Sequence, residues 1–395
     1  MPEASRPGTD SVPLLTIFRE WGRIGWIGFG GPPAHIALLR QLCVERREWI
    51  SATEFEDGVA ATNLLPGPAS TQLAIFTAWR LRGPIGAIVG GACFIVPGLI
   101  VILALSAVFL ANHPPLAIAG AAAGAGAAVP AVAVQASSGL VPASWRRAGS
   151  EQAARIRWAA FLVAGGAAAA TIGPWLVLVL LACGLTEAWA RTGPLTRPRG
   201  GSASGLIPLL AVPAAAVGGL GAVAWVAFKV GALSYGGGFV IIPLMQHQAV
   251  NTYHWMSSAQ FLSAVALGQV TPGPVVHTVV VVGYAAGGFG YGLLAALCAF
   301  TPSFVFVIAG GPHFDRIRSN ASVQAFLTGA GAAAIGAIAG SAIPLGLALA
   351  HLWQIGVLAV AFAWLVGLRR GVVSGLVGSA LLGLIAALAG APVGS

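Results

Sequence analysis

Long apolar runs separated by short, mostly basic connections dominate the chain. Runs of about 20 apolar residues suit helices that cross a bilayer. Candidates lie near residues 84–110, 116–140, 158–172 and 174–190, then 290–311, 321–347, 352–367 and 371–391. Ahead of each set stand apolar stretches that are broken. They are Gly28 to His35 (GFGGPPAH) and Asn63 to Gln72 (NLLPGPASTQ), then Ser234 to Phe239 (SYGGGF) and Gln269 to Thr278 (QVTPGPVVHT). A proline inside a helix removes a hydrogen bond and clashes with the preceding turn, and the residue before it leaves the helical region. Pro-Gly-Pro therefore ends one helix and lets another start at its second proline, a favoured first-turn position. The flanking pieces are too short to span alone. A re-entrant hairpin with its tip near mid-membrane is expected, returning Arg80 and Arg82 to the side it left. Irregular backbone at that depth survives only where protein or a water-filled cavity surrounds it.

The broken segments occur twice. Trp49-Ile50-Ser51 and Trp255-Met256-Ser257 stand 206 residues apart, as do Pro66-Gly67-Pro68 and Pro272-Gly273-Pro274. The same gap-free register pairs Gly25 with Gly231, Gly30-Gly31 with Gly236-Gly237, Ile36 with Ile242, Phe55 with Phe261, Arg23 with Lys229 and Asn63 with Gln269. Two homologous units are expected, 1–190 and 223–395, joined by a basic linker and connecting span at 191–222.

Basic loops mark the cytoplasmic side of a membrane protein. The clusters Arg40/Arg46/Arg47, Arg80/Arg82, Arg146/Arg147/Arg155/Arg157, Arg191/Arg197/Arg199, Arg316/Arg318 and Arg369/Arg370 are placed there. Ala111 to Pro115, Met245 to His254 and the stretch before His351 carry no Lys or Arg and are placed outside. Equivalent loops differ in charge. Arg40 to Glu48 holds three arginines and Gln246 to His254 none, while Arg80 and Arg82 become Ala286 and Gly288. Opposite faces for equivalent loops are the mark of an inverted repeat, and an extra span near 205–222 supplies the flip. The expected fold is an all-α polytopic membrane protein. Its two homologous halves form an inverted repeat, with broken or re-entrant helices at the Pro-Gly-Pro motifs.

Composition narrows the function classes. The chain is 57% hydrophobic and 8% charged, with mean hydropathy +0.87, where soluble domains carry about 25% charged residues. A net charge of +9 in a soluble protein would suggest nucleic acid. Here the basic residues sit in connections, so no nucleic-acid partner is expected. Cys43, Cys93, Cys183 and Cys298 lack metal or redox spacing, no P-loop occurs, and no cofactor or metal is expected. The N-terminus lacks a basic-then-apolar signal pattern, which leaves insertion to the spans themselves.

The candidate chemistry is anion binding. A helix start at a broken tip offers free N–H groups and the positive end of a dipole. In the first half the donors are Ala69, Ser70 and Thr71, the last two adding hydroxyls; in the second they are Val275, Val276 and His277. Asn63, Gly67, Gln72, Gln269 and Gly273 flank the tips. Gly30, Gly31, Gly236 and Gly237 serve either close packing or ligand approach. Arg23 and Lys229 either neutralise the anion or snorkel from span ends. Glu54 and Asp57 share a face and form either a solvated hairpin base or a proton or gating site. His35, a third candidate for proton coupling, and His277 titrate near neutral pH, or act only as hydrogen-bonding residues.

FGGPPAHI (Phe29 to Ile36), LLPGPASTQLAIF (Leu64 to Phe76), GACFIVPG (Gly91 to Gly98) and the GGGFVIIPL and QVTPGPV stretches of the second half give the chain a family likeness. It resembles the chromate ion transporter family in its long, two-domain form, over nearly its whole length. The resemblance implies a multi-pass bacterial inner-membrane protein, not an enzyme, that exports chromate by the proton motive force. It also implies two halves of opposite topology. Val275, Val276 and His277 in place of Ala69, Ser70 and Thr71 depart from symmetric ligation by hydroxyls. A carrier for sulfate or a related oxyanion, running inward, remains an alternative, as does an intramembrane enzyme bringing Ser70 to His277. The partners expected are the oxyanion and the lipid bilayer, and a homodimer is compatible with the sequence.

Overall fold

The fold is that of a computed structural model, described for residues 12–65, 67–111, 114–171, 175–193, 219–234, 239–311 and 320–393; for Leu64 and Phe239 only the backbone is described. Most of the span expected near 205–222 lies outside these residues, as do Pro66, Arg197, Arg199, Gly236, Gly237, Arg316 and Arg318. Regular structure among the described residues is all helical. The first series is α1 (Leu14–Ile27), α2 (Pro32–Arg40), α3 (Ala52–Leu64), α4 (Ala69–Phe109), α5 (Leu116–Ala127), α6 (Val129–Ala148), α7 (Gln152–Thr171) and α8 (Leu176–Thr192). The second is α9 (Leu220–Leu233), α10 (Ile242–Gln246), α11 (Ser258–Val270), α12 (Thr278–Gly287), α13 (Phe289–Gly310), α14 (Ala321–Leu347), α15 (Leu352–Phe362) and α16 (Val372–Leu388).

The two series share bounds. α1 and α9, α3 and α11, and the π-helical turns Gln41–Arg46 and His247–Thr252 begin and end 206 residues apart. Ser51 and Ser257 cap α3 and α11 through the N–H groups of Glu54 and Gln260. Further along, the register becomes 205. It matches the starts of α5 and α14 and a shared Gly-Ala-Gly-Ala-Ala, Gly124 to Ala128 and Gly329 to Ala333.

Local chemistry explains the breaks. α4 is two limbs, interrupted where Arg82 leaves helical geometry and Gly83 adopts φ 58°, a conformation that favours glycine. Pro84 then opens the second limb. The Glu54–Arg80 ion pair and the approach of Phe76 to Gly58 show that α3 and the first limb run antiparallel. In the second series α12 lies against α11 at Gly268 and Thr278, and reverses into α13 at Gly288, φ 81°. At about 1.5 Å per residue, the 13 residues of α3 cover about 20 Å, two-thirds of a hydrocarbon core. The expected run 116–140 is instead two helices, α5 and α6, meeting at Ala128. Pro130, lacking an N–H, sits in the first turn of α6, where none is needed.

Packing interleaves the two series. α14 lies against α6, α7 and α8, and α16 against α5. Small residues make these contacts close: a Cβ at Gly165 would overlap the Ala333 carbonyl, and one at Gly124 the Ser379 carbonyl. Glu187, 2% exposed, accepts from Arg157 Nε (2.7 Å) and Arg191 Nε (2.5 Å), while Arg191 also donates to the Ala148 carbonyl at 2.9 Å. A buried carboxylate needs such pairing, and here it joins the ends of α6, α7 and α8. Leu297, Leu347, Leu352 and Leu388 are largely exposed, which water would penalise and lipid would not. α4, α5–α6, α13 and α14 are long and apolar enough to cross a bilayer.

Candidate functional site

The two Pro-Gly-Pro tips have matching backbones. α3 ends at Leu65 (φ −74°, ψ 144°) and α11 at Thr271 (φ −80°, ψ 147°). Gly67 then takes φ 128° and Gly273 φ 90°, where a side chain is strained. Pro68 and Pro274 lead into the next helices without side-chain caps.

Each glycine seats on the other series. Gly67 N–H donates to the carbonyl of Ser234, which ends α9, and Gly273 N–H donates to that of Gly28, which ends α1, at 2.9 Å. Both donors and both acceptors obey the 206-residue register, so the exchange is reciprocal. The tips also rest on equivalent proline sites: a Cβ at Gly98 would overlap the Pro272 carbonyl and His277, and Gly67 lies beside Ser303. Pro97-Gly98 and Pro302-Ser303 are related by the 205-residue register.

A chain of hydrogen bonds joins the tips. The Gly28 carbonyl that receives Gly273 also contacts His35 Nε2 at 2.9 Å, and His35 Nδ1 contacts Ser70 Oγ at 3.2 Å. A carbonyl only accepts, so Nε2 carries hydrogen, and in the neutral ring Nδ1 accepts the Ser70 hydroxyl. His35 is fully buried, with its edge on Phe94, ring centroids 5.0 Å apart. Ser70 thus meets His35, not His277. His277 is buried against Phe300 and faces the Ile95 carbonyl, but neither ring nitrogen closes a hydrogen bond.

At the helix starts, the first intrahelical bond of α4 runs from Gln72 N–H to Pro68 O. The N–H groups of Ala69, Ser70 and Thr71 therefore precede the ladder. In the second tip His277 N–H is taken by Pro274 O in a 3₁₀ turn, which leaves Val275 and Val276. Side chains at these starts are deeply buried, and Thr71 Oγ1, Ser234 Oγ, Ser303 Oγ and Gln269 Nε2 have no hydrogen-bond partner among the described residues. Each unmatched buried group costs about 1–3 kcal/mol. Four in one region suit a polar ligand that enters and leaves. Ser234 and Ser303 were not apparent as site residues from the sequence, although the 205-residue register places Ser303 opposite Gly98.

The other expected residues divide between the surroundings of the tips and the rest of the helices. Arg23 is on the exposed face of α1, opposite the buried stripe of Ile17, Trp21 and Ile24. Lys229 is half-buried on α9, its ammonium 5.5 Å from the Trp225 ring centroid. Glu54 pairs with Arg80, and its neighbour Glu56 with Arg40 at 3.1 Å, at the wetted base of the first hairpin; Asp57 is half-buried on the same helix. Gly30 (φ 98°) and Gly31 (φ 75°) turn the chain into α2, with Gly31 next to Val275. Among the described residues no cluster of metal-ligating side chains occurs.

A cavity of about 690 Å³ reaches the first tip, lined by Asn63, Gly67 and Ala69, by Gln324 on α14, and by Arg146 and Arg147 at the end of α6. The sequence marked these two arginines for sidedness only. Their adjacency at the end of an apolar helix was the signal for more.

Comparison with known proteins places the same residues in a wider set. The sequence profile of a family described as chromate transporter matches twice, at residues 15–188 and 221–391. The chain is 29% identical over 369 residues to a probable chromate transport protein of Synechococcus elongatus, covering 90% of this chain and 91% of that one. It is 32% identical over 331 residues to a chromate transport protein of Cupriavidus metallidurans, covering 82% and 80%. A chromate transport protein of Pseudomonas aeruginosa is 29% identical over 374 residues, covering 87% and 83%. No solved structure matches.

Proposed function

The chain belongs to the chromate transporter family, and from that premise we propose that it exports chromate from the cytoplasm as a secondary carrier driven by the proton motive force. It is a multi-pass transporter of the bacterial inner membrane rather than an enzyme. Repeats 1–190 and 223–395, joined by the basic linker 191–222, cross the membrane in opposite senses. Support comes from shared helix bounds and from equivalent loops of unequal charge, Arg40 to Glu48 against Gln246 to His254.

The observation that carries the proposal is the reciprocal seating of Gly67 on Ser234 and Gly273 on Gly28. It brings two broken-helix tips together, as inverted-repeat carriers do around a midplane site. The helix starts at Ala69 and Val275 present positive potential, and the hydroxyls of Thr71, Ser234 and Ser303 are available to an oxyanion. Gln269 supplies a further amide donor. A tetrahedral dianion accepts from several directions at once, which matches donors converging from both tips. Relatives of this length are named for chromate transport, and chromate carries that charge and shape.

His35 is the group we assign to coupling, because one ring bridges Ser70 on the first tip and the carbonyl that seats the second. A proton gained or lost there changes which atoms it can join. Glu54, held by Arg80, serves the hairpin base. Arg23 faces outward from α1 and Lys229 packs beside Trp225 on α9, and we assign neither of them to the ion.

Chromate flux into everted membrane vesicles under an imposed proton gradient, with sulfate as competitor, tests the function. Gradient-dependent chromate uptake that an uncoupler abolishes is expected. Flux of sulfate in its place would reassign the substrate, and flux indifferent to the gradient would remove the coupling.

A further inference from the structure

Resting on the transport function above, we infer that Arg146 and Arg147 form the cytoplasmic capture site for the dianion, upstream of the tips. Both residues line the cavity of about 690 Å³ that also touches Gly67 and Ala69. Neither has an ion-pair partner among the described residues, a state shared with other arginines such as Arg46 and Arg82, but these two also line the cavity. Among the described residues no carboxylate lines the cavity, and its remaining walls are mostly apolar. A cleft of one charge sign with low-dielectric walls focuses its field and raises the local concentration of the opposite ion. Two positive charges at the mouth of the cavity match the two negative charges of the ion.

Arginine at a helix C-terminus is also explained by the helix dipole and by sidedness. Neither explains why both residues border a cavity that reaches a tip. The other end of the molecule supplies the contrast. α14, which matches α5 in the 205-residue register, ends at Leu347, and the connection that follows it holds His351 and no Lys or Arg. His351 borders a smaller cavity of about 400 Å³ with Gln260 and Gln354, which among the described residues has no Lys or Arg in its lining and does not reach Gly273 or Val275. Anion capture is therefore built into the Arg146 end and absent from its counterpart. The ion is drawn in strongly at one mouth and held weakly at the other.

The test uses Ala143→Cys as a reporter, since Ala143 is exposed and lines the cavity. Modification by a membrane-impermeant maleimide is followed by peptide mass in everted vesicles, which separates it from Cys43, Cys93, Cys183 and Cys298. Sulfate and molybdate are the probes, because chromate oxidises thiols. Both should slow modification, and chloride should not. Arg146→Gln with Arg147→Gln should raise the half-protecting concentration at least tenfold, while Arg146→Lys with Arg147→Lys, which keeps charge and sidedness, should restore most of it. Equal protection in the Gln variant, or none in the arginine parent, overturns the capture site. Chromate flux by the parent separates the two failures. Flux without protection removes only the capture site, whereas absence of flux removes the transport function on which it rests. Loss of reporter labelling in the Gln variant would expose an inverted or unfolded chain, and the Lys pair then carries the comparison. Protection by the Lys pair at a half-protecting concentration within threefold of the parent supports capture, and none overturns it.

Discussion

His35 and Ser70 should be energetically coupled, and their coupling should reach transport. Ser70→Ala removes the partner of a fully buried imidazole nitrogen, His35 Nδ1 at 3.2 Å. An unmatched buried group costs about 1–3 kcal/mol. His35→Phe keeps a ring against Phe94 but strands the Ser70 hydroxyl and removes the 2.9 Å bond to the Gly28 carbonyl. That carbonyl retains Gly273 N–H, so its loss adds only about 0.5–1.5 kcal/mol, and the total is about 1.5–4.5 kcal/mol. In the double variant neither partner is stranded. It should be less destabilised than the sum by about 1–3 kcal/mol, within the range for residues in direct contact. Thermal unfolding of the detergent-solubilised protein, compared at a common temperature, reads the cycle. The second arm is flux. His35→Phe should still pass chromate down its gradient yet no longer accumulate it against one when a proton gradient is imposed. Additivity within about 0.5 kcal/mol would refute the link between the tips, and gradient-driven accumulation by His35→Phe would refute the coupling role.

Three further outcomes are expected. A cysteine at Glu45 should be shielded from impermeant thiol reagents outside intact cells and one at Asn251 labelled; labelling of both from one side would remove the inverted arrangement. Ala69→Pro and Val275→Pro delete an N–H at a helix start whose dihedral tolerates proline, so they should insert normally and lose transport, while Ser70→Ala retains it in part; the reverse order would point to hydroxyl ligation alone. Arg23→Gln, on the face of α1 opposite its buried stripe, should leave the half-saturating chromate concentration within about twofold, a change of about 0.4 kcal/mol; a tenfold rise would put Arg23 at the ion.

The sequence alone determined most of where helices run and where they stop, because those choices are local, though not the break between α5 and α6 at Ala128. Apolar length sets the spans, Pro-Gly-Pro forbids continuation, and glycine permits the positive φ of Gly67 and Gly273. The doubled register was likewise legible from spacing, and helix bounds such as Leu14–Ile27 and Leu220–Leu233 repeat it residue for residue. What touches what was decided only by the tertiary structure. The seating of Gly67 on Ser234 and of Gly273 on Gly28 uses backbone groups, and every residue type but proline carries the same N–H and C=O. Nothing in the letters names the partner. Arg23 and Lys229 share a repeat position, yet packing sets the rotation of each helix about its axis, and this turned Arg23 outward and left Lys229 half-buried beside Trp225. Ser70 faces His35 rather than His277 because α2 folds back across the first tip. Arg146 and Arg147 became more than a marker of sidedness once α6 and α14 enclosed a cavity reaching Gly67. A cavity is a property of surfaces from several helices, and no single stretch of sequence contains it.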